Sequence, residues 1–250
     1  MRIIYLKTPN QLRKIEYVNK LGAELLEGCY RYIKVGTYTS ELEDLVIKFC
    51  ESRNVEPAFY GYKGFPHRLC VSVNDEIIHG FPRDYMIKDG DVVSVDLGII
   101  KDGYVSDAAF TKVVGVTSKR TRELVKITKE CLDFGIEVAR PGKRVRDISR
   151  RIYRHAVRNN FDVLRQFTGH GVGLALHELP PVHNYVPDGV DWKLKPGMII
   201  AIEPMLLAGS CEYTVDANGW TVRTADGEKS AHFEHSVAIT QKDTIVLSQL

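Results

Sequence analysis

Two segments of this chain, KDGDVVSVD (Lys88–Asp96) and KPGMIIAIE (Lys195–Glu203), align without a gap. Each opens on a Lys with a Gly two residues later, runs into apolar residues suited to a packed, pleated surface, and ends on an acid. Upstream, His79-Gly80-Phe81-Pro82 corresponds to His177-Glu178-Leu179-Pro180. Val35-Gly36 with Leu42 and Val46 corresponds to Pro141-Gly142 with Ile148 and Ile152 at equal offsets. A duplication this long is a pair of half-domains, not a solenoid repeat. Two helix-helix-strands units related by a pseudo-twofold merge their strands into one antiparallel sheet, with helices covering its outer face. The expected fold is therefore α+β, a single domain over residues 1–250 with halves at about 8–116 and 120–240, and sites often form where such halves meet.

Local signals place the elements. Thr8-Pro9 caps a first helix whose apolar stripe is Leu12, Ile15, Leu21, Leu25 and Cys29, ending near Gly36. Ser40 and Glu43 have capping-box spacing ahead of a second helix that buries Leu42, Leu45, Val46 and Phe49. Strands are expected at Leu69–Val73, Gly90–Ile100 and Gly103–Val116. Helices follow over Arg120–Val138 and Val145–Asn159, separated by Arg140-Pro141-Gly142, with strands from about Phe167 onward.

Composition narrows the function classes. A 44% hydrophobic content supports one sizeable core, and 34 Lys+Arg against 32 Asp+Glu makes no overall case for a nucleic-acid or membrane partner. The five cysteines are odd in number and include no CxxC pair, which fits a reducing compartment. MRIIYLKTPNQ has no apolar stretch with a small-residue cleavage site, and no run of 18 apolar residues occurs. A cytoplasmic protein is expected.

The acids at the strand ends are the anomaly. Asp96 closes GDVVSVD, where an unpaired carboxylate is costly to desolvate. Asp96-LGIIKDGYVS-Asp107 reads as a β-hairpin around Lys-Asp-Gly. A four-residue loop puts Asp96 directly opposite Asp107, and a two-residue Asp102-Gly103 loop makes them diagonal neighbours; in either register they share a face. Glu203 ends the twin strand before Pro204, and in AHFEHSVAI Glu234 lies with Ser236 on the face opposite Phe233, His235 and Val237. Taken singly, an acid at a strand end is unremarkable, but four converging carboxylates would neutralise two divalent ions. In TGHGVG (Thr168–Gly173), Gly169 and Gly171 let backbone come close to a ligand while His170 projects into it. One imidazole among carboxylates favours Mn²⁺, Fe²⁺ or Co²⁺ over Ca²⁺ or Mg²⁺, with Zn²⁺ also compatible.

These motifs, VSVDLG…DGYVSDAAFT, TGHGVG, HELP, AIEP and FEHSVAIT in that order, make the chain resemble the type I methionine aminopeptidases, single-domain "pita-bread" metallopeptidases, in a short bacterial-like form without an N-terminal extension. The resemblance runs from Thr8 to about Thr240. It implies a curved antiparallel sheet backed by two pairs of helices, and two divalent ions held by Asp96, Asp107, His170, Glu203 and Glu234. It also implies removal of the initiator methionine from nascent polypeptides with a small second residue, through a metal-bridging hydroxide. Glu203 would shuttle the proton, His177 would hydrogen-bond the oxyanion, and His79 would contact the scissile amide nitrogen. For His79 and His177 the bland reading is a core or turn histidine, outweighed by their equivalent places in the two H-x-x-P twins.

The positions similar to the family's methionine pocket are Tyr62, Phe65, Cys70 and Trp220, flanked by Phe59 and Leu176. Aromatic edges suit a thioether. Phe59 stands where the family often has cysteine, and Leu176 where an aromatic usually precedes the histidine; the two changes nearly compensate in volume. Arg146, Arg150, Arg154 and Arg158 recur every fourth residue, a repulsive spacing that an anionic partner such as ribosomal RNA would relieve; a solvated face braced by acids on neighbouring elements is the blander account and the favoured one. A monomer is expected. The alternatives are an Xaa-Pro aminopeptidase or dipeptidase sharing the five ligands and, further off, a non-catalytic binding protein of the same fold.

Overall fold

The Thr8 hydroxyl accepts the Gln11 N–H while the Gln11 side chain accepts the Thr8 N–H, so helix α1 (Pro9–Tyr32) starts on a capping box, as its sequence implies. It stops four residues short of Gly36, which takes a left-handed turn at φ +89°. Helix α2 (Ser40–Arg53) departs from expectation at its start. Ser40 is its first residue and Thr39 its uncapped N-cap, and Glu43 points away to accept the Arg68 N–H and meet His67 Nδ1, both at 2.9 Å. Tertiary partners have taken the carboxylate from the local cap. Helices α3 (Lys119–Val138) and α4 (Val145–Arg158) lie where the sequence puts them. The computed structural model describes residues 3–249; Met1, Arg2 and Leu250, at the ends of the expected domain, lie outside them.

The main sheet has eight antiparallel strands. Seven run in the order Glu178–Val182, Gly169–Gly171, Ile199–Ile202, Glu234–Ile239, Ala108–Val113, Val92–Leu97, Cys70–Val73, and Thr244–Val246 adds to Glu234–Ile239. The order mirrors itself about the junction of Ala108–Val113 with Glu234–Ile239. The repeat is visible in the turns too. Gly36 N–H donates to Ile87 O and Gly142 N–H to Leu194 O, both at 2.9 Å, and Tyr38 bridges Met86 as Arg144 bridges Lys193. Leu42, Val46, Ile148 and Ile152, matched between the halves, are at most 1% exposed and pack the helices onto the sheet. Burying each contributes roughly 1.5–3 kcal/mol.

The central hairpin resolves the register. Asp102 and Gly103 both have positive φ, +51° and +78°, and Lys101 pairs with Tyr104 around them. This is the two-residue loop that Asp-Gly favours, so the directly opposed register is not adopted. The expected Gly90–Ile100 strand breaks at Gly98, where a Cβ would lie 2.6 Å from Ser106 O. Beyond it Ile99–Lys101 leaves the main sheet and pairs with Glu56–Pro57 and Tyr104–Val105.

Candidate metal centre and adjoining pocket

One transverse row of the sheet assembles most of the acids. Asp96 pairs with Cys70 on one side and Ala109 on the other, and Ala109 pairs in turn with Glu234. Cross-strand partners project to the same face, so Asp96 and Glu234 flank the small side chain of Ala109. Asp107, two residues before Ala109, emerges on that face as Asp96's diagonal neighbour. Glu203 lies one residue past the Ile202–His235 pair, at the register position opposite Glu234. His170 comes from the neighbouring Gly169–Gly171 strand, and its Nε2 stands 3.6 Å from Asp107 Oδ2 and 3.5 Å from Glu203 Oε1.

His170 Nδ1 lies 2.9 Å from Gly171 O, and donating its proton there leaves the Nε2 lone pair facing the carboxylates. Its distances to them exceed good hydrogen bonds, and donors sharing a cation at roughly 2.0–2.2 Å stand about this far apart. Asp107, His170 and Glu234 each bring a ligand atom within 4.8 Å of the others. Asp96 Oδ1, Asp107 Oδ1 and Glu234 Oε1 are buried without a hydrogen-bond partner. Burial raises the Asp96 pKa to about 7 and pushes Asp107, Glu203 and Glu234 well above the carboxylate range, their mutual repulsion adding to it. Unpartnered buried oxygens, mutual repulsion and an adjacent imidazole lone pair are the properties of a divalent-ion site, and these five side chains fit one.

The cluster forms one wall of a cavity of about 250 Å³. Phe59, Phe65 and Leu176, all buried, and Cys70 form an apolar end with Trp220, whose ring meets Phe65 edge-on at 5.1 Å. Tyr62, His79 and His177 also line the cavity: the His177 ring contacts those of Tyr62 and His170, with centroids 5.2 and 4.2 Å away, and His79 meets Trp220 edge-on at 6.2 Å. All thirteen site residues read from the sequence line this one cavity. The row that places Asp96 also turns the Cys70 thiol onto the same face. His79 holds a left-handed conformation, φ +57°, unusual for a non-glycine residue and common where function fixes geometry. Burial keeps it neutral, with its pKa lowered to about 4. His177 is likewise held below the ordinary histidine range, first by desolvation and then by neighbouring His170.

The TGHGVG reading needs correction. A Cβ on Gly169 would lie 2.3 Å from Ala201 O, and one on Gly171 2.4 Å from Leu179 O. The two glycines admit neighbouring strands, not a ligand. Sequence reasoning also missed Lys63, Ile78, Phe167 and Thr168, which line the cavity, and His232, which lies behind Glu203. Thr168 opens the TGHGVG motif and Phe167 directly precedes it, and extending the Glu234–Ser236 alternation one step back reaches His232.

Comparison with known proteins agrees with this geometry. The sequence model of metallopeptidase family M24 matches residues 13–241. Methionine aminopeptidase 1 of Bacillus subtilis is 40% identical, with 99% of this chain and 100% of that protein aligned. The Aquifex aeolicus methionine aminopeptidase is 43% identical over 99% of each chain. The crystal structure of a Thermotoga maritima methionine aminopeptidase superposes with a TM-score of 0.96 at 39% identity, covering 99% of this chain and 100% of that one. The Pyrococcus furiosus prolidase shares the fold at a TM-score of 0.78 and 24% identity, over 98% of this chain but 65% of its own.

Proposed function

This chain belongs to metallopeptidase family M24, and from that premise we infer that it is a metal-dependent methionine aminopeptidase, removing the initiator methionine from nascent polypeptides whose second residue is small. The observation that carries the reading is the junction of a buried carboxylate cluster with an apolar, aromatic-walled pocket in one cavity. Such a pocket takes an unbranched thioether side chain and presents its amino end to the acids.

Asp96, Asp107, His170, Glu203 and Glu234 would hold the two divalent ions. When bound, divalent ions supply Lewis acidity and make water a nucleophile near neutral pH. The mixed imidazole and carboxylate set suits Mn, Fe, Co or Zn. In this reading Glu203 takes the proton of the attacking water on a carboxylate oxygen and returns it to the departing amine. His177 donates from Nε2 to the oxygen that becomes an oxyanion, and His79 contacts the scissile amide nitrogen. Phe59, Phe65, Cys70, Leu176 and Trp220 exclude water around the side chain, and Tyr62 borders it next to His177. Phe59 and Leu176 both face the pocket, which supports mutual compensation of their sizes.

Association with ribosomal RNA remains part of the proposal in narrower form. Arg146 is tied down, its side chain donating to Gly189 O and its N–H to Asp191. Arg150, Arg154 and Arg158, with Arg140, Lys143 and Arg151, border a groove beside α4, though Arg150 also pairs with Asp147. Charge reversal at Arg150 and Arg154 would weaken ribosome co-sedimentation; unchanged binding discards the idea. Among the described residues no helix is long and apolar enough to cross a membrane.

The assay that tests the main reading compares metal-reconstituted protein on Met-Ala-x, Met-Lys-x and Xaa-Pro peptides. Preference for Met-Ala-x is expected. Cleavage only before proline would replace it with the prolidase-type reading, and silence with every metal would leave a binding protein.

A further inference from the structure

Glu203 faces two imidazoles, and the mechanism uses one of them. Its Oε1 is 3.5 Å from His170 Nε2, and its Oε2 is 3.7 Å from the Nε2 of His232, a residue 2% exposed. The His232 backbone is clamped. Its N–H donates to Thr111 Oγ1 at 2.9 Å and its carbonyl accepts from the same hydroxyl at 2.6 Å, while Thr111 also meets Ser94 Oγ. The ring is not restrained in this way, because Nε2 is buried and has no hydrogen-bond partner. An unpaired buried nitrogen costs roughly 1–3 kcal/mol, so a fold that keeps one at this position, beside a carboxylate, must gain from it elsewhere. Among the described residues Glu203 is the one carboxylate within 4 Å of His232 Nε2, which makes His232 a partner of Glu203.

We propose that His232 is a positioning residue for Glu203: its Nε2–H donates to Oε2 and fixes the carboxylate so that Oε1 stays turned toward His170. A shift of about half an ångström brings the pair into hydrogen-bond range. Outer partners of this kind orient metal-ligating carboxylates, and their loss typically weakens metal binding 10–100-fold. The inference rests on the reading of Glu203 as a metal ligand, and it is tested by metal binding, which does not depend on which peptide is cleaved.

Mn²⁺ affinity of the metal-free protein is measured by calorimetry for the wild type, His232→Leu and His232→Gln, together with metal-free Tm and the kcat/KM split. His232→Leu loses the donor and should bind Mn²⁺ 10–100-fold more weakly, with kcat reduced and KM little changed. Its metal-free Tm should equal or exceed the wild type's, because an apolar side chain replaces an unpaired nitrogen. His232→Gln keeps an N–H donor and should stay within about threefold of wild-type affinity. Wild-type Mn²⁺ affinity in His232→Leu overturns the proposal. Equal weakness in both variants also overturns it, since the imidazole itself would then be required, as would a lowered metal-free Tm in His232→Leu, the mark of a packing role.

Discussion

Tyr62 Oη lies 2.9 Å from His177 Nδ1, and the two rings stack with centroids 5.2 Å apart and planes 15° from parallel, although 115 residues separate them. Burial, and then the charge of Asp107, raises the Tyr62 pKa, so the phenol keeps its proton. Donating that proton to Nδ1 leaves the imidazole's own proton on Nε2, the tautomer that can hydrogen-bond a developing oxyanion. Tyr62→Phe preserves the stack and removes the donor. A kcat loss of about tenfold is expected, the kinetic equivalent of a hydrogen bond of about 1.4 kcal/mol, with Tm nearly unchanged. Wild-type kcat would mean that His177 needs no such orientation.

Glu203→Gln keeps the size and removes the base. Turnover should fall roughly 10²–10⁴-fold while circular dichroism shows an intact fold. Near-normal turnover under saturating Mn²⁺ would take Glu203 out of the proton-transfer role.

Metal binding should release protons, and more at low pH than at high. Asp96 has its pKa raised to about 7, and Asp107, Glu203 and Glu234 are also raised. For a carboxyl shifted upward in the fold, the stability it contributes is fully present below its unfolded value near 3.8 and is lost as pH rises through about 7. The metal-free fold is therefore penalised by these acids above neutrality, and a cation reverses the penalty. The buried histidines act oppositely. His79, His170 and His235, lowered to about 4, favour the fold above about 6.5 and stop doing so as pH falls toward 4. The difference between metal-loaded and metal-free Tm isolates the carboxylates, and it should be larger at pH 8 than at pH 6. Calorimetry in buffers of different ionisation enthalpy should find fewer protons released at the higher pH. No proton release at either pH would mean that the acids are already ionised without metal.

Much of this site is legible in the chain because the repeat and the hairpin together fix it. The twins Asp96 and Glu203 mark equivalent strand ends, and the Asp102-Gly103 turn, once its two left-handed residues are accepted, sets the row through Asp96, Ala109 and Glu234. What stays hidden is competition between partners. Nothing local says that Glu43 leaves the α2 cap for His67 and Arg68, or that Arg146 turns to Gly189 instead of joining the other arginines. The glycines of TGHGVG were legible as close approaches, but what approaches depends on strand order, which periodicity does not encode.

That strand order makes Gly169 and Gly171 sensitive to a single methyl. An alanine Cβ at either would sit within 2.4 Å of a carbonyl oxygen on an adjoining segment, Ala201 O or Leu179 O. Backbone in the middle of a ladder has little room to yield. Gly169→Ala should cost about 2–4 kcal/mol, in the tail of single-substitution effects, and should displace His170. Chemical denaturation and Mn²⁺ affinity should both register it; a neutral result would show that the sheet opens there at little cost.

Lys7 and Glu178 form a buried ion pair. Lys7 Nζ meets Glu178 Oε2 at 2.5 Å, with side-chain exposures of 1% and 3%. Glu178 Oε1 accepts the N–H groups of Leu174 and Ala175 at 2.7 and 3.1 Å, and the Lys7 N–H donates to Gly197 O. The segment ahead of α1 thus holds the turn that carries Leu176 into the pocket and His177 to its mouth. Removing only the cation leaves a buried carboxylate uncompensated, which costs more than the pair itself contributes. Lys7→Met should lower stability by about 3–5 kcal/mol and raise KM for methionyl peptides more than it lowers kcat. Adding Glu178→Gln should recover part of the stability, because the stranded charge goes with it, and should recover less of the KM, because the tether to Lys7 stays broken. A double variant as unstable as the sum of the singles would show that the two side chains act independently, and the link between the N-terminal segment and the pocket would be lost.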